Sequence, residues 1–269
     1  MKPGKILHEL ARGLRMARTG GVAAGVGFVR EEVLRNTWLR ASASLPRRAG
    51  SGVECNLCGW SGRRFLSHYA FGYLDRNAFC PRCHSYPRHR GFAHLWRERL
   101  AGELAYLAAR DGRKVMFAPE KGMLDLLQPV VGPMVGADLD TTRALVELRE
   151  DLQALSFEDG SVDFISNFHV LEHVPDDRRA LSELRRVLSP EGRMLLCVPI
   201  SYEHAETIEF GGPNPKLNDH CFDYGRDFSD RLTEAGLAFE EHHLDEAVPA
   251  ELHGRLAMRR ETIFVVRRG

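Results

Sequence analysis

From about residue 100 onward the sequence predicts an open α/β sheet, and three observations carry that prediction. Helical and strand patterns alternate along this stretch. A short apolar strand at residues 114–118 runs through a turn at 119–122 into a helix starting at Met123, the strand–turn–helix entry of a nucleotide-binding unit. A second strand, residues 133–138, ends on Asp138, and an acidic residue there, about 20 residues past the first turn, commonly holds a ribose diol. In front of this region lie four cysteines in two pairs.

The chain has 269 residues, 43% hydrophobic and 28% charged, the profile of a globular protein with one large unit and one small. The apolar stretch at residues 20–29 is about half a membrane span and lacks the form of a signal peptide. The expected compartment is the cytoplasm. Formal net charge is zero, yet residues 1–100 carry +12 and residues 101–269 carry −12. The basic part is either a polyanion-binding arm or the docking partner of the acidic part.

Residues 1–50 read as a basic helical extension. Ile6, Leu7, Leu10 and Leu14 recur at helical spacing with Lys5, Arg12, Arg15 and Arg18 between them. Residues 1–20 could therefore lie on a membrane surface or pack on the main domain. Ala49-Gly50-Ser51-Gly52 reads as a linker.

Residues 51–92 read as a zinc ribbon. Cys55-x-x-Cys58 and Cys80-x-x-Cys83 have the spacing of paired zinc knuckles. Four thiolates make a closed tetrahedral site, which suits structural Zn2+, and so small a module needs such a staple. A disulfide pair or redox dithiol is the rival reading, disfavoured in a reducing compartment. His84 and His89 are surplus to a four-cysteine site, and Cys197 and Cys221 read as core or pocket residues.

Residues 93–269 form the expected catalytic domain. After the first turn, whose only glycine is Gly122, and the second strand, Thr141 or Thr142 is placed to cap a further helix. The most informative stretch follows: Asp151, Leu155, Phe157, Asp159-Gly160-Ser161, Asp163-Phe164 and Val170-Leu171-Glu172-His173-Val174-Pro175-Asp176. Leu184-Arg185-Arg186-Val187-Leu188, Pro190-Glu191-Gly192-Arg193 and a strand at 194–198 extend it. Over roughly 150 residues this resembles the class I S-adenosylmethionine-dependent methyltransferases of the methyltransferase-11 type. The preceding ribbon, Ala118-Pro119-Glu120 and Asp219-His220-x-x-x-Tyr224-Gly225-x-Asp227 look like an uncharacterised bacterial subset of them.

The resemblance implies a Rossmann-like sheet of seven strands, mostly parallel with the last antiparallel, and S-adenosyl-L-methionine at the carboxyl ends of the strands. It implies Glu120 and Gly122 near the methionine part, Asp138 on the ribose, and Asp151 with the Leu152 amide on the adenine. Asn167 and His169 would face the methionine and methyl group. The several glycines usual in the family's first turn are reduced here to Gly122.

Methyl transfer requires alignment of nucleophile, methyl and sulfur, and a base where the nucleophile carries a proton. His220 is the first candidate base because its ordinary pKa lies near neutrality; Tyr224 and His173 are the other catalytic candidates. Ser201, Tyr202, His204 and Asp227 complete the set near the acceptor, Asp227 being equally fit to cap the helix at 228–235. The block 211–215 reads as a substrate loop. Residues 237–244 and 262–266 supply the last two strands. Three functions remain open: methyl transfer to a small-molecule or glycan O or N atom, an RNA (rRNA or tRNA) methyltransferase using the basic half, and a non-catalytic binding module.

Overall fold

A computed structural model describes residues 52–70 and 73–269, without the side chains of 68–70, 73 and 74, and from the preceding segment residues 13–15, 17, 18, 20–30, 34 and 38. The amphipathic helix expected over residues 1–20 lies mostly outside the described residues, as does the linker at 49–51. In chain order, α1 (Val22–Phe28) precedes two small hairpins, β1 (Val53–Glu54) with β2 (Ser61–Gly62) and β3 (Leu66–Ala70) with β4 (Tyr73–Phe79). The helices α2 (Pro87–Arg99) and α3 (Ala101–Ala108) lead into β5 (Arg113–Phe117), α4 (Lys121–Val131), β6 (Val135–Asp138) and β7 (Leu148–Arg149). Then come β8 (Val162–Phe168), a 3-10 turn (Leu171–His173), α5 (Asp177–Val187), β9 (Leu188–Cys197), and the hairpin β10 (Ile208–Asn214) and β11 (His220–Asp223). The chain closes through α6 (Phe228–Glu234), β12 (Leu237–His243), α7 (Leu244–Ala247), α8 (Ala250–Leu256) and β13 (Thr262–Arg268).

Seven strands form one sheet in the order β12-β13-β9-β8-β5-β6-β7. The pairs β5–β6, β6–β7, β5–β8 and β8–β9 are parallel, and β13 is antiparallel to both its neighbours. This is the expected sheet. Strand periodicity sorts its side chains onto two faces. Val115, Phe117, Ile165, Phe264 and Val266 enter one buried cluster with Ala180, Leu181 and Leu184 of α5 and Phe228 and Leu232 of α6. Met116, Phe164, Ile263 and Val265 enter the other, beneath Phe92, Leu95 and Trp96 of α2 and Leu124 and Leu127 of α4. Buried on both faces, β8 has every residue buried, as a central parallel strand requires.

The order of connection reverses between β5 and β8: from β5 the chain first runs outward to β6 and β7, then returns to β8 and continues the other way. A crevice beyond the carboxyl ends of strands follows from such a reversal. Helix α5 is fixed beside it by a cap, the Asp176 carboxylate accepting from the Arg179 amide at 2.9 Å, an arrangement worth about 1 kcal/mol.

Two expectations are corrected. No helix follows Asp138: residues 139–147 are turns, because Asp138 accepts from the Asp140 amide and Asp140 from the amide and hydroxyl of Thr142. Consecutive Asx turns of this kind compete with the helical ladder. The block 211–215 is not a free loop; residues 211–214 end β10, paired with β11.

Beneath that hairpin sits a buried polar knot. The Tyr224 hydroxyl donates to Asp177 at 3.0 Å, and Arg231 holds both oxygens of the same carboxylate at 3.0 and 2.9 Å. All three residues are at most 5% exposed. Phe in place of Tyr224 removes one hydrogen bond to a charged acceptor, so unfolding free energy should fall by about 2 kcal/mol, read as a lower urea midpoint at unchanged slope.

Candidate functional site

The cysteines form the first centre. All four Sγ atoms lie within 4.8 Å of one another, with Cys55–Cys83 at 3.5 Å and Cys58–Cys80 at 3.6 Å. A tetrahedral zinc with bonds of about 2.3 Å separates its sulfurs by about 3.8 Å, so the set is arranged for an ion. All are free thiols, not the disulfide of the rival reading. The two knuckles are built alike: Gly59 N–H donates to the Cys55 carbonyl and His84 N–H to that of Cys80, with φ of 70° and 61°. Hydrogen bonds from Cys80 and Cys83 hold the Cys55 thiol down, while burial pushes Cys58 up to about 11. The thiols share protons, and a divalent ion would displace them.

The ribbon is docked on the sheet. Fully buried Arg90 donates to the Leu256 carbonyl and the Ser85 carbonyl, both at 2.6 Å, and lies 3.8 Å over the Phe65 ring. Asn56 Nδ2 donates to the Arg90 carbonyl at 2.9 Å. Gly122 belongs to this contact: a Cβ there would stand 3.3 Å from the Cys83 carbonyl oxygen. It does not line the cavity at the strand ends. Its smallness serves the approach of the ribbon to α4.

That cavity, about 860 Å³, opens where the sheet order reverses, within the range of cofactor sites. Glu120, Asp138, Asp151, Leu152, His169, His173 and His220 of the expected set all line it. Asn167 lies just beneath, fully buried, with neither amide atom paired. Tyr224 is outside it, fully buried and stacked on Phe222. Tyr202 is also outside, hydrogen-bonded to Thr262 with Arg260 over its ring. Neither Ser201, His204 nor Asp227 lines the cavity. Asp227 stands at the start of α6, but its carboxylate accepts from the Thr207 amide and hydroxyl at 3.0 and 2.7 Å.

At one end, Asp138 accepts from Arg143 at 2.6 Å and Asp151 from the Gln153 amide at 2.9 Å. In the middle, Glu120 at the start of α4 accepts from Arg88 at 2.9 Å and pairs with His89 Nε2 at 2.7 Å. Burial pushes Glu120 up, but Arg88 and His89 outweigh it and hold its carboxyl at about 2. Burial pushes His89 down, against the pull of Glu120. At the far end, His169, with φ 54°, leans toward Glu261 (3.4 Å) and Glu172 (3.6 Å). The His173 and His220 rings meet edge to face, centroids 4.8 Å apart. Burial, then His173 and His169, push His220 down to about 4.

Sequence reasoning missed Arg88, Glu261 and Arg259, which line this cavity, and gave His89 no place. The run Tyr86-Pro87-Arg88-His89-Arg90 between knuckle and helix was a signal: charged residues dense at a helix start ask for partners. Glu261 carries no local signal.

Residues 121–196 match the family described as Methyltransferase domain. A probable S-adenosylmethionine-dependent methyltransferase of Mycolicibacterium smegmatis is 34% identical over 84 residues, 28% of this chain and 33% of that protein. An uncharacterized 37.1 kDa protein in transposon TN4556 of Streptomyces fradiae is 47% identical over 49 residues, 18% of this chain and 14% of that protein. The chain thus spans a third or less of the length of these two curated relatives. A solved S-adenosylmethionine dependent methyltransferase from Mesorhizobium loti covers 65% of this chain and 98% of its own, at 18% identity and TM-score 0.45. Residues 121–196 thus resemble the methyltransferase family, within a seven-stranded α/β sheet that a four-cysteine cluster precedes.

The Glu120 clamp predicts an acid dependence. Its folded pKa lies below the ordinary 4.5, so its stabilisation is present above that value and lost as pH falls toward about 2. Glu120→Gln should lower unfolding free energy on the order of 2 kcal/mol at pH 6. Paired denaturant titrations should show the gap closing as pH drops below 4.5.

Proposed function

We propose that the protein transfers the methyl group of S-adenosyl-L-methionine to an oxygen or nitrogen of a small molecule or glycan. The observation that carries this is the pair Asp138 and Asp151, which both line one cavity at the sheet reversal. They stand one strand apart, as a ribose diol and an adenine amino group require. Arg143, half-exposed on Asp138, would yield that carboxylate to the hydroxyls. Leu152 would support the adenine, Glu120 the side nearest the methionine part, and Asn167 and His169 the reacting end. The cofactor supplies an electrophilic methyl whose electron pair leaves with sulfur. The acceptor must lose its proton, and His173 and His220 stand where it would be received or its oxygen held. Tyr224 serves this region as a brace through Asp177.

The cysteine cluster would hold one structural Zn2+, with buried Arg90 offsetting the negative charge of four thiolates. The cavity favours a small acceptor over RNA. Arg88, where the ribbon meets α2, is spent on Glu120, whereas Arg82 and Arg97 stay exposed while donating to the Cys58 and Asn56 carbonyls. Asp75, Tyr86 and Arg88 wall the cavity, so the ribbon acts as part of a pocket. Among the described residues no helix is long and apolar enough to cross a membrane.

Calorimetry of the zinc-quantified protein with S-adenosyl-L-methionine tests the reading. Micromolar binding is expected, with loss of at least about tenfold in Asp138→Ala, on the order of 1.4 kcal/mol for its hydrogen bonds. A folded, zinc-loaded protein that binds none would leave only a binding module. Tight association with RNA, weakening steeply with salt, would move the acceptor to nucleic acid.

A further inference from the structure

We propose that Glu172, His173 and His220 form a second metal centre, a two-histidine, one-carboxylate site for a divalent transition-metal ion at the far end of the cavity. Their ligand atoms all lie within 4.8 Å of one another, and all three residues line the cavity. The elements that carry them are far apart in sequence. The 3-10 turn after β8 brings Glu172 and His173, and the first residue of β11 brings His220. The Cys221 thiol donates to the His173 carbonyl at 3.6 Å, tying strand to turn.

The independent observation is Glu172 itself. It is 1% exposed, and neither carboxylate oxygen has a hydrogen-bond partner. An unpaired buried carboxylate costs several kcal/mol, and other buried acids of this chain show how the fold avoids that cost. Asp177 has Arg231 and Tyr224; Asp163 has Arg110 and Ser189. Around Glu172, the nearest cation candidate is His169, 3.6 Å away and shared with Glu261 at 3.4 Å. A cation between Glu172 and the two imidazoles satisfies the carboxylate with ligands already in reach.

The donor set selects the ion. Two imidazole nitrogens and one carboxylate suit zinc, manganese, iron or cobalt, while magnesium and calcium prefer oxygen throughout. Three protein ligands leave coordination positions open, and these face the cavity. Resting on the methyl-transfer reading, the ligand for them is an acceptor oxygen, whose proton a Lewis acid would make easier to release to water while His173 and His220 hold the ion rather than act as bases. The ion site itself stands without that reading.

Manganese(II) discriminates the two centres, because four soft thiolates disfavour it and nitrogen and oxygen ligands accept it. Full-length protein carrying one zinc per chain, without S-adenosyl-L-methionine, is titrated with manganese(II) and followed by electron paramagnetic resonance. One bound ion per chain is expected, with nitrogen hyperfine coupling from histidine and a rise in melting temperature. Glu172→Gln and His220→Ala, checked for zinc content and circular dichroism, should weaken binding by more than about tenfold. The proposal falls if the wild-type protein binds no manganese(II), if the bound ion lacks histidine nitrogen coupling, or if both folded variants bind as the wild type does. Because binding is read without the methyl donor, a failure of methyl transfer leaves this outcome unchanged.

Discussion

The clamp of Glu120 by Arg88 and His89 is the interaction on which the cavity's architecture turns. In a nucleotide-binding α/β unit the first strand must give way to a helix while leaving room above the helix N-terminus, and a glycine-rich turn usually makes that room. Here the turn is Ala118-Pro119-Glu120, with Glu120 capping position filled by a carboxylate that reaches back to the segment before the domain. The absence of a side chain at Gly122 lets the Cys83 backbone approach α4. The ribbon is thereby fixed against the carboxyl edge of the sheet, and Tyr86, Pro87 and Arg88 become cavity wall. A departure in the turn and the presence of a ribbon are two halves of one arrangement.

Further along the same cavity the polar groups change character. Between Asp138 and Glu120 each carboxylate is partnered. Beneath and beyond His169, Asn167 and Glu172 are buried with no side-chain hydrogen-bond partner, His169 standing 3.6 Å from Glu172. Burial raises the Glu172 carboxyl, whereas Glu261, also deep, is held below the usual range because His169 and Arg88 outweigh its desolvation. Native folds pair almost all such groups, and Glu172 is the one carboxylate among the described residues with both oxygens buried and without a hydrogen-bond partner.

The sheet was legible because its signal is local and periodic. Alternation in β5 and β8 separates Met116 and Phe164 from Val115 and Ile165, and the spacing of Ala180, Leu181 and Leu184 defines the face of α5. The cysteine pairs were legible from spacing alone, and their sulfurs do converge. What was not legible depends on partners distant in sequence. Thr142 reads as a helix cap until Asp140 takes its amide. The block at 211–214 reads as loop because glycine and proline dominate it, yet β11 supplies a strand partner. Tyr224 reads as a catalytic hydroxyl by its place after His220, but just past β11 it stacks on Phe222 in the core and donates to Asp177. Glu261 reaches His169 only through the return of β13 beside β9.

The division of charge between the two parts of the chain has the same origin. Read as a sequence, +12 against −12 suggests a basic arm presenting a field to a polyanion. In the folded chain some of these arginines are drawn in: Arg88 onto Glu120 and Arg90 onto backbone carbonyls, while Arg97 bonds the Asn56 carbonyl at the surface. Traffic also runs the other way, since Arg255 pairs with Glu54 and Arg259 with Asp75, so the acidic part lends cations to the ribbon's few acids. Charges at short range inside a partly dry interface are screened far less than those facing solvent, and their value lies in fixing geometry. The pairing aligns the wall of the cavity with its floor. For Arg88 and Arg90, the asymmetry is therefore a docking code between two parts of one site, while Arg63, Arg76, Arg82 and Arg99 stay exposed at the surface.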